Sequence, residues 1–183
     1  NILAIIPKKG KTKNFNNKPL ISYTINSCLD SSFITDIVVS TDDNETAKIA
    51  KKYGALVPFI RPKELSNEYS HVLEVIQYTF EKVTNLNKTY DLVVILEETY
   101  PFRSSNLIDK LILETLKKGK DTLIAGLLEQ RAIWVENKNS NDLKLIREGF
   151  IPRKLKKSKT LISLFGLCCV THPSNIKSKN IFT

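Results

Sequence analysis

A short basic loop carries the residues best suited to bind phosphate. Residues 8–13 read KKGKTK and combine four lysines with one glycine and one hydroxyl. Backbone N–H groups exposed in a glycine turn, with ammonium groups around them, form a concave site for a polyphosphate. The spacing of glycine and Lys-Thr differs from that of a Walker loop and of a dinucleotide-binding fingerprint. A solvated basic turn without a ligand is the alternative interpretation.

Two arginines follow later apolar segments and are candidates for the same site. Arg61 comes directly after one such segment, and Arg103 ends a turn that begins at Glu97. Cationic groups gathered at one edge repel each other unless an anion lies between them, and guanidinium groups bind phosphate oxygens in bidentate geometry. Each arginine could instead pair on the surface with a nearby glutamate, and the candidates are Glu64, Glu97 and Glu98.

Alternating strand and helix patterns must position these residues. Apolar, β-branched runs predict strands over residues 2–6, 37–40, 56–60 and 92–96. Apolar residues at helical spacing behind capping residues predict helices over 19–29, 45–53, 70–83 and 104–118. The remainder is mostly strand-like, over 122–128, 132–135, 143–146 and 161–171, with a short helix after Pro173. Strands that alternate with helices imply crossovers onto a mostly parallel sheet.

The predicted fold is therefore an α/β fold with a mostly parallel sheet and flanking helices. We expect one domain over residues 1–183. Pro58 interrupts the segment 56–60, which we therefore place near an edge of the sheet. Ligands of such sheets bind beyond the carboxyl ends of the strands, so the basic loop, Arg61 and Arg103 are expected to meet there.

The composition describes a basic protein with a core of ordinary size. Among 183 residues, 28 Lys and Arg face 19 Asp and Glu, and the formal net charge of +9 favours anionic ligands. The lysines form no basic stripe with interleaved aromatic residues, so we expect no nucleic-acid partner. The apolar runs are shorter than the roughly 18 residues of a membrane span, and the three cysteines fit a reducing compartment. We expect a soluble, cytoplasmic protein without a membrane partner.

Other reactive side chains favour structural roles. Cys168 and Cys169 lie in an apolar run, where we expect buried thiols on opposite faces of a strand. Asp42 and Asp43 precede a predicted helix, so a helix cap is the first interpretation and a metal site is the second.

Five segments, in chain order, resemble the acylneuraminate cytidylyltransferases, which include the CMP-sialic acid synthetases and their relatives for legionaminic and pseudaminic acids. The segments are ILAIIP at residues 2–7 with the basic loop, KPLI at 18–21, VVSTDD at 38–43, KKYGALVPFIRPKEL at 51–65 and PFR at 101–103. The Gly-Ala-x-Val-Pro-Phe-x-Arg-Pro stretch within the fourth segment is the most specific. Beyond residue 110 the resemblance is loose.

The resemblance implies a nucleotide-diphospho-sugar-transferase (Rossmann-like) fold that binds CTP and Mg²⁺. In this family a hydroxyl of a sugar acid attacks the α-phosphorus of CTP and pyrophosphate leaves. The protein aligns the nucleophile and stabilises charge on the triphosphate. We therefore expect CMP transfer to sialic acid or a related nonulosonic acid, by a homodimer. The alternative is a catalytically weak homologue that binds a nucleotide or a partner.

The resemblance also implies roles for individual residues. The catalytic set is Lys9, at the Arg of the family's Arg-x-Gly-Ser loop, Lys18, at a later Lys of that loop, and Arg103. The implied nucleotide-binding residues are Gly10, Thr12, Lys13, Arg61, Ser70, Glu97 and Thr99. No metal ligand is named, because the family's Asp-x-Asp segment has no counterpart up to Thr183.

Two residues depart from the family pattern. Glu97 stands at the Gln of the family's Gln-Pro-Thr-Ser-Pro-x-Arg turn and brings a carboxylate toward a polyanion. Such repulsion costs on the order of 1 kcal/mol or more unless a metal ion or a lysine intervenes. Phe165 stands at the Asn of the family's Asn-Gly-Ala and removes a hydrogen-bonding amide.

Overall fold

The computed structural model describes residues 1–137, 142–147, 160–178 and residue 181. The chain divides into two compact units. The first comprises Asn1–Ala125 and Phe165–Thr183, and the second comprises Gly126–Leu164. The assignment of residues 1–183 to one domain stays a prediction.

The elements alternate between strands and helices, as the apolar patterns predict. The strands are β1 (Ile2–Lys8), β2 (Asn14–Phe15), β3 (Lys18–Pro19), β4 (Asp36–Thr41), β5 (Leu92–Ile95), β6 (Thr122–Ile124), β7 (Gly126–Glu129), β8 (Ile133–Glu136), β9 (Leu143–Arg147), β10 (Thr160–Ser163) and β11 (Cys169–Thr171). The helices are α1 (Leu20–Leu29), α2 (Asn44–Lys52), α3 (Val72–Thr84), α4 (Leu107–Lys118) and α5 (Pro173–Lys177), with a 3₁₀ helix at Lys63–Leu65. Across the described residues, no helix is both long and apolar enough to cross a membrane.

The central sheet of the first unit has the strand order β4-β1-β5-β11-β6. Strand β1 pairs in parallel with both of its neighbours, and Ile5 lies opposite Val38 on β4 and Ile95 on β5. Strand β11 is antiparallel to β5 and to β6. The predicted mostly parallel sheet is therefore confirmed, and β1, β4 and β5 end at the same edge.

The core lies on both faces of this sheet because side chains alternate along each strand. Ala4 and Ile6 of β1 join the apolar cluster beneath α1, α2 and α4, whereas Leu3 and Ile5 join the cluster that contains α3 and α5 residues. The adjacent thiols of Cys168 and Cys169 divide in the same way, and the described cysteines are free and buried. A strand buried on both faces explains the continuous apolar runs in the sequence.

The predicted strand over residues 56–60 is wrong. Only Leu56 reaches the sheet, through a single parallel bridge to Val38. Its N–H donates to the Ile37 carbonyl at 2.7 Å, and its carbonyl accepts from Val39 N–H at 2.9 Å. Pro58, two residues later, has no N–H group to continue the ladder.

The helix starts agree with the sequence prediction at α2 and shift at α3 and α4. Asp43 caps α2 by accepting from Thr46 N–H at 2.8 Å, as its position predicts. Helix α3 begins after His71 rather than at Ser70, and α4 begins after Asn106 rather than at Ser104 or Ser105. The hydroxyl of Ser70 instead donates to the Glu64 carbonyl.

The second unit contains two antiparallel strand pairs in its described part. Strand β7 pairs with β10, and β8 pairs with β9. Several large apolar side chains of these strands are exposed to solvent, among them Leu127, Trp134, Ile146 and Leu161. The strand-like pattern of the last third of the sequence is confirmed by these pairs.

Candidate active site

A cavity of about 290 Å³ opens in the first unit where β1 and β5 end. Its lining comes from four separate parts of the chain, which are Pro7, Lys8 and Lys9; Arg61 and Leu65; Asn67, Ser70, Val72 and Val75; and Glu97, Glu98 and Thr99. Because the parallel strands end at one edge, side chains 90 residues apart in sequence meet here. Five of the predicted site residues line this one cavity, namely Lys9, Arg61, Ser70, Glu97 and Thr99.

The loop after β1 is fixed by hydrogen bonds to the start of α2. Gly10, at φ +62°, donates its N–H to Asp42 Oδ1 at 2.8 Å, and its carbonyl accepts from Thr46 Oγ1 at 3.1 Å. Thr12 N–H donates to the same hydroxyl at 3.0 Å. The left-handed backbone at Gly10 explains the glycine at this position. Protein oxygens therefore accept from both of these N–H groups, which are not open to an anion in this arrangement.

Three ammonium groups of this loop are unpaired. The side chains of Lys9, Lys11 and Lys13 are exposed, and none makes a hydrogen bond or ion pair with a residue in the described ranges. Of the three, Lys9 lines the cavity. Lys9 is therefore the cation best placed to meet a phosphate there.

The neighbouring Lys8 is already paired. Its ammonium group lies 2.9 Å from Glu98 Oε1, and only 14% and 11% of the two side chains are exposed. The other carboxylate oxygen of Glu98 accepts from Thr12 Oγ1 at 2.8 Å. This Lys8–Glu98 ion pair connects the end of β1 with the turn after β5.

Arg61 is buried in the wall of the cavity, with 4% of its surface exposed. It donates to the Ser40 carbonyl at 2.9 Å, the Lys8 carbonyl at 3.3 Å and Ser66 Oγ at 3.0 Å. Burial lowers its pKa from the ordinary value, and the nearby Asp42 carboxylate, 3.5 Å away, opposes that shift. Arg61 thus joins the ends of β1 and β4 and has its charge balanced inside the protein.

Glu97 presents its carboxylate to the cavity beside a glycine. Its N–H donates to the Gly166 carbonyl at 2.8 Å, and Oε2 accepts from Thr99 Oγ1 at 3.1 Å. A Cβ atom on Gly166 would lie 2.6 Å from the Glu97 carboxylate, so the close approach requires glycine. Among the described residues, no cation forms an ion pair with Glu97.

Comparison with known proteins shows the family to which the chain belongs. A family model described as cytidylyltransferase matches residues 7–149, which include every residue that lines the cavity. The chain belongs to the cytidylyltransferase family. It is 34% identical to pseudaminic acid cytidylyltransferase of Campylobacter jejuni over 149 residues, or 75% of this chain and 64% of that protein. It is 31% identical to CMP-N,N'-diacetyllegionaminic acid synthase of Legionella pneumophila over 147 residues, or 76% and 63%.

The chain therefore spans a little less than two thirds of the length of these cytidylyltransferases. A solved structure of CMP:2-keto-3-deoxy-manno-octonic acid synthetase complexed with CTP has the same fold, with a TM-score of 0.67 and 13% sequence identity. The similarity covers 100% of this chain and 78% of that one. The nucleotidyltransferase fold implied by the sequence is confirmed.

Arg103 does not line this cavity with Lys9 and Arg61, which corrects the expectation that all three meet there, and its catalytic role stays a prediction. Its guanidinium group donates to the carbonyls of Leu167 at 2.7 Å, Glu97 at 2.7 Å and Gly166 at 3.0 Å, and to Thr24 Oγ1 at 2.9 Å. Burial lowers the pKa of Arg103. The guanidinium group connects the turn after β5 to α1 and to the segment before β11.

The other predicted residues lie around the cavity rather than in it. Lys18 is exposed on β3, and Lys13 is exposed before β2, and neither lines the cavity. Gly10 and Thr12 belong to the adjacent loop, and Thr12 Oγ1 also accepts from Ile21 N–H at 3.2 Å. The structure therefore gives Thr12 a role at the start of α1, and direct contact of Lys13, Lys18 and Thr12 with a nucleotide stays a prediction.

Three charged residues of the site were not among the predicted nucleotide-binding or catalytic residues. Lys8 and Glu98 line the cavity, and Asp42 holds both Gly10 and Arg61. A signal for them was present in the sequence, since each lies two residues after the end of a predicted strand. The sequence did not indicate that Lys8 pairs with Glu98 or that Asp42 pairs with Arg61.

The described residues do not form a Mg²⁺ site of their own. No group of three or more His, Cys, Asp and Glu side chains within these ranges could hold a metal ion. Two carboxylates at the site are engaged by cations, since Glu98 pairs with Lys8 and Asp42 with Arg61, whereas Glu97 forms no ion pair with a described residue. Mg²⁺ as a cofactor stays a prediction from the resemblance.

Proposed function

We propose that this cavity binds CTP and that the protein transfers CMP from CTP to a nonulosonic acid, with release of pyrophosphate. The observation that carries the proposal is that Lys9, Arg61, Ser70, Glu97 and Thr99 line one cavity at the carboxyl edge of a parallel sheet. Membership of the cytidylyltransferase family supports CTP as the nucleotide. The names of the pseudaminic and legionaminic acid relatives support a nonulosonic acid as the acceptor.

In the proposed reaction, a hydroxyl oxygen of the sugar acid forms a bond to the α-phosphorus of CTP. The bond from that phosphorus to the oxygen bridging to the β-phosphate breaks, pyrophosphate leaves with the electron pair, and the hydroxyl proton passes to solvent. Lys9 stabilises negative charge on the phosphate oxygens, since its ammonium group is unpaired at the cavity. The buried Arg61 orders the strand ends that form the cavity wall.

Pyrophosphate release from CTP, measured with pseudaminic, legionaminic and N-acetylneuraminic acids, tests the proposal. We expect turnover with at least one acid and a preference for CTP over ATP, GTP and UTP. Lys9→Ala should lower kcat/KM by about 30-fold or more, a loss of roughly 2 kcal/mol in transition-state stabilisation. Lys110→Ala is the matched control, because Lys110 is exposed on α4 and does not line the cavity. Absence of turnover with every acid and nucleotide contradicts the proposal.

Melting temperatures separate the alternatives in the same preparation. Stabilisation by CTP without product formation supports a nucleotide-binding homologue that has lost its chemistry. Stabilisation by an oligonucleotide that falls steeply with salt and ignores CTP supports nucleic-acid binding through the lysine-rich surface. CTP stabilisation together with product formation supports the transferase.

We further propose that the enzyme is a cytoplasmic homodimer that requires Mg²⁺. The three free, buried thiols support a reducing compartment. The exposed apolar side chains of the second unit, including Trp134 and Leu161, support burial against a second copy. Light scattering gives the mass of the particle in solution, and EDTA should stop turnover if Mg²⁺ is required. A monomeric mass contradicts the proposed homodimer, and full activity in EDTA contradicts the proposed requirement for Mg²⁺.

A further inference from the structure

The Lys8–Glu98 ion pair lies between the two chain segments that border the cavity. Lys8 is the last residue of β1, and Glu98 follows β5, the parallel neighbour of β1 in the sheet. The pairing of these strands brings the two residues to the same edge.

The polar atoms of the pair are turned toward the protein. The Lys8 ammonium group donates to Glu98 Oε1 at 2.9 Å and to the Lys9 carbonyl at 2.8 Å. Glu98 Oε2 accepts from Thr12 Oγ1 at 2.8 Å. With side-chain exposures of 14% and 11%, both charges are largely removed from water. Each ion therefore depends on the other for its stability.

One carboxylate thus holds the loop after β1 at two points, residue 8 and residue 12. Thr12 Oγ1 in turn accepts from Ile21 N–H at 3.2 Å, in the first turn of α1. Pro19, at the N-cap of α1, provides no side-chain cap, so this hydroxyl takes that role. Lys9 lies between the two fixed points with its ammonium group unpaired and at the cavity.

We infer that Glu98 is a positioning residue, which fixes the loop through Lys8 and Thr12 so that Lys9 faces the cavity, and that Lys8 is its counter-ion rather than a phosphate ligand. The inference rests on the proposed function, in which Lys9 meets the phosphates of CTP. Lys8 and Lys9 are adjacent in sequence and would otherwise be interchangeable as phosphate ligands. The ion pair assigns them different tasks.

A double-mutant cycle tests this assignment. Removing one ion of a buried pair leaves an uncompensated charge, whereas replacing both by neutral side chains of similar size is often tolerated. Lys8→Met leaves the Glu98 carboxylate without its counter-ion, and Glu98→Gln leaves the Lys8 ammonium group without its counter-ion. The double variant removes both charges, and its Gln carbonyl still accepts from Thr12. If Lys8 bound phosphate directly, the double variant would keep the full defect of Lys8→Met.

Steady-state kinetics with CTP as the varied substrate give the readout. Each single substitution should raise KM for CTP about tenfold while kcat changes less than about threefold, and the double variant should return KM to within about threefold of the unmodified protein. A double variant with KM as high as that of Lys8→Met overturns the inference. So does a Glu98→Gln protein with unchanged KM.

A substitution at Thr12 provides a second test if the charge variants fold poorly. Thr12→Val keeps the side-chain shape but removes the hydroxyl that joins Glu98 to the loop, and Thr12→Ser keeps the hydroxyl. We expect a higher KM for CTP in Thr12→Val and a nearly normal KM in Thr12→Ser. Equal KM values for both variants contradict the inference.

Failure of the proposed function is distinguishable from failure of this inference. If the unmodified protein turns over no acceptor with CTP, the proposed function fails. The melting temperatures of the same four proteins then test the pair alone. Two destabilised single variants and a recovered double variant support the anchoring role, and additive effects overturn it.

Discussion

The loop after β1 and the turn after β5 meet at one edge of the sheet but use their charges differently. In the loop, the exposed Lys9, Lys11 and Lys13 have no ion-pair partner within the described part of the chain. In the turn, Glu98 is paired with Lys8, and Arg103 donates to three carbonyls and a hydroxyl. The lysines of the loop are available to bind a ligand, whereas the charged residues of the turn stabilise the edge of the sheet through contacts within the protein.

The difference follows from burial. An ionic side chain removed from water must be satisfied by the protein, so a buried arginine reaches internal oxygens before any ligand arrives. An exposed lysine is hydrated and can exchange water for phosphate at low cost. Residues of the same charge at one edge therefore divide into structural and ligand-binding groups. Substitutions in the structural group should lower the stability of the protein, and substitutions in the ligand-binding group should not.

The largest effect is expected for Arg103→Ala in the turn. The substitution removes the hydrogen bonds to Leu167, Gly166, Glu97 and Thr24, and the Gly166 and Glu97 carbonyls keep only their other donors. We expect the free energy of unfolding to fall by about 3 kcal/mol or more, with loss of turnover as a consequence. Chemical denaturation measures the change. Lys48→Ala is the control, because Lys48 is exposed on α2, and a small change is expected there.

An Arg103→Ala protein with unchanged stability and reduced turnover would contradict this view of the turn. It would instead favour the direct catalytic role that the sequence resemblance implies. Arg103→Lys sharpens the distinction, because an ammonium group restores the charge but not the fork geometry that reaches several carbonyls. We expect Arg103→Lys to recover little of the lost stability.

The loop should show the opposite behaviour. Replacing Lys9, Lys11 and Lys13 together by alanine should leave the melting temperature nearly unchanged, because their ammonium groups form no hydrogen bond or ion pair with a described residue, and Lys11 acts only through its charge on Asp43. The KM for CTP should rise about 100-fold, which corresponds to roughly 2.7 kcal/mol of lost binding, and much of the effect should disappear at high salt.

A triple variant at Lys110, Lys117 and Lys120 is the control for net charge, since these lysines are exposed on or just after α4. Equal increases in KM for the two triple variants would show that overall charge, rather than the loop, attracts CTP. A loss of stability in the loop variant would mean that these lysines also support the fold.

Gly166→Ala should change KM less than the loop variant does, and it should act only by displacing the carboxylate of Glu97. The new methyl group would lie 2.6 Å from the Glu97 carboxylate, which is a flexible group that can move. We expect KM for the acceptor or for CTP to change about tenfold, with little loss of stability. In a Glu97→Ala background the same substitution should have no further effect on KM. A further change in KM in the Glu97→Ala background would contradict the claim that Gly166→Ala acts by displacing Glu97.

The smallest expected effect is the pH dependence contributed by Asp43, the cap of α2 beside the loop. The N–H of Thr46 holds the pKa of Asp43 below its ordinary value of 3.8. A carboxylate with a lowered pKa in the folded state stabilises the protein above pH 3.8, and that contribution is lost as the pH falls through the lowered value. Asp43→Asn should flatten the acid limb of the stability profile, measured by thermal unfolding between pH 2 and pH 6. An unchanged acid limb contradicts the prediction.

The sequence alone determined that the sheet is mostly parallel and at which of its edges the site lies. The apolar run of β1 is continuous because that strand is buried on both faces, and its period places Ala4 and Ile6 against one layer of helices and Leu3 and Ile5 against the other. The loop after such a strand must reach the carboxyl edge, so Lys9 could be assigned to the site from its position.

Only the tertiary structure decided which charges remain for a ligand. The sequence treats Lys8 and Lys9 alike, and likewise Arg61 and Arg103, because charge is a property of the residue type. Pairing depends on distances between segments far apart in sequence, such as Lys8 and Glu98 or Arg103 and Gly166. Those distances are set by packing of the whole sheet and its helices, and burial at the contact then determines which ionic group is satisfied internally and which stays hydrated.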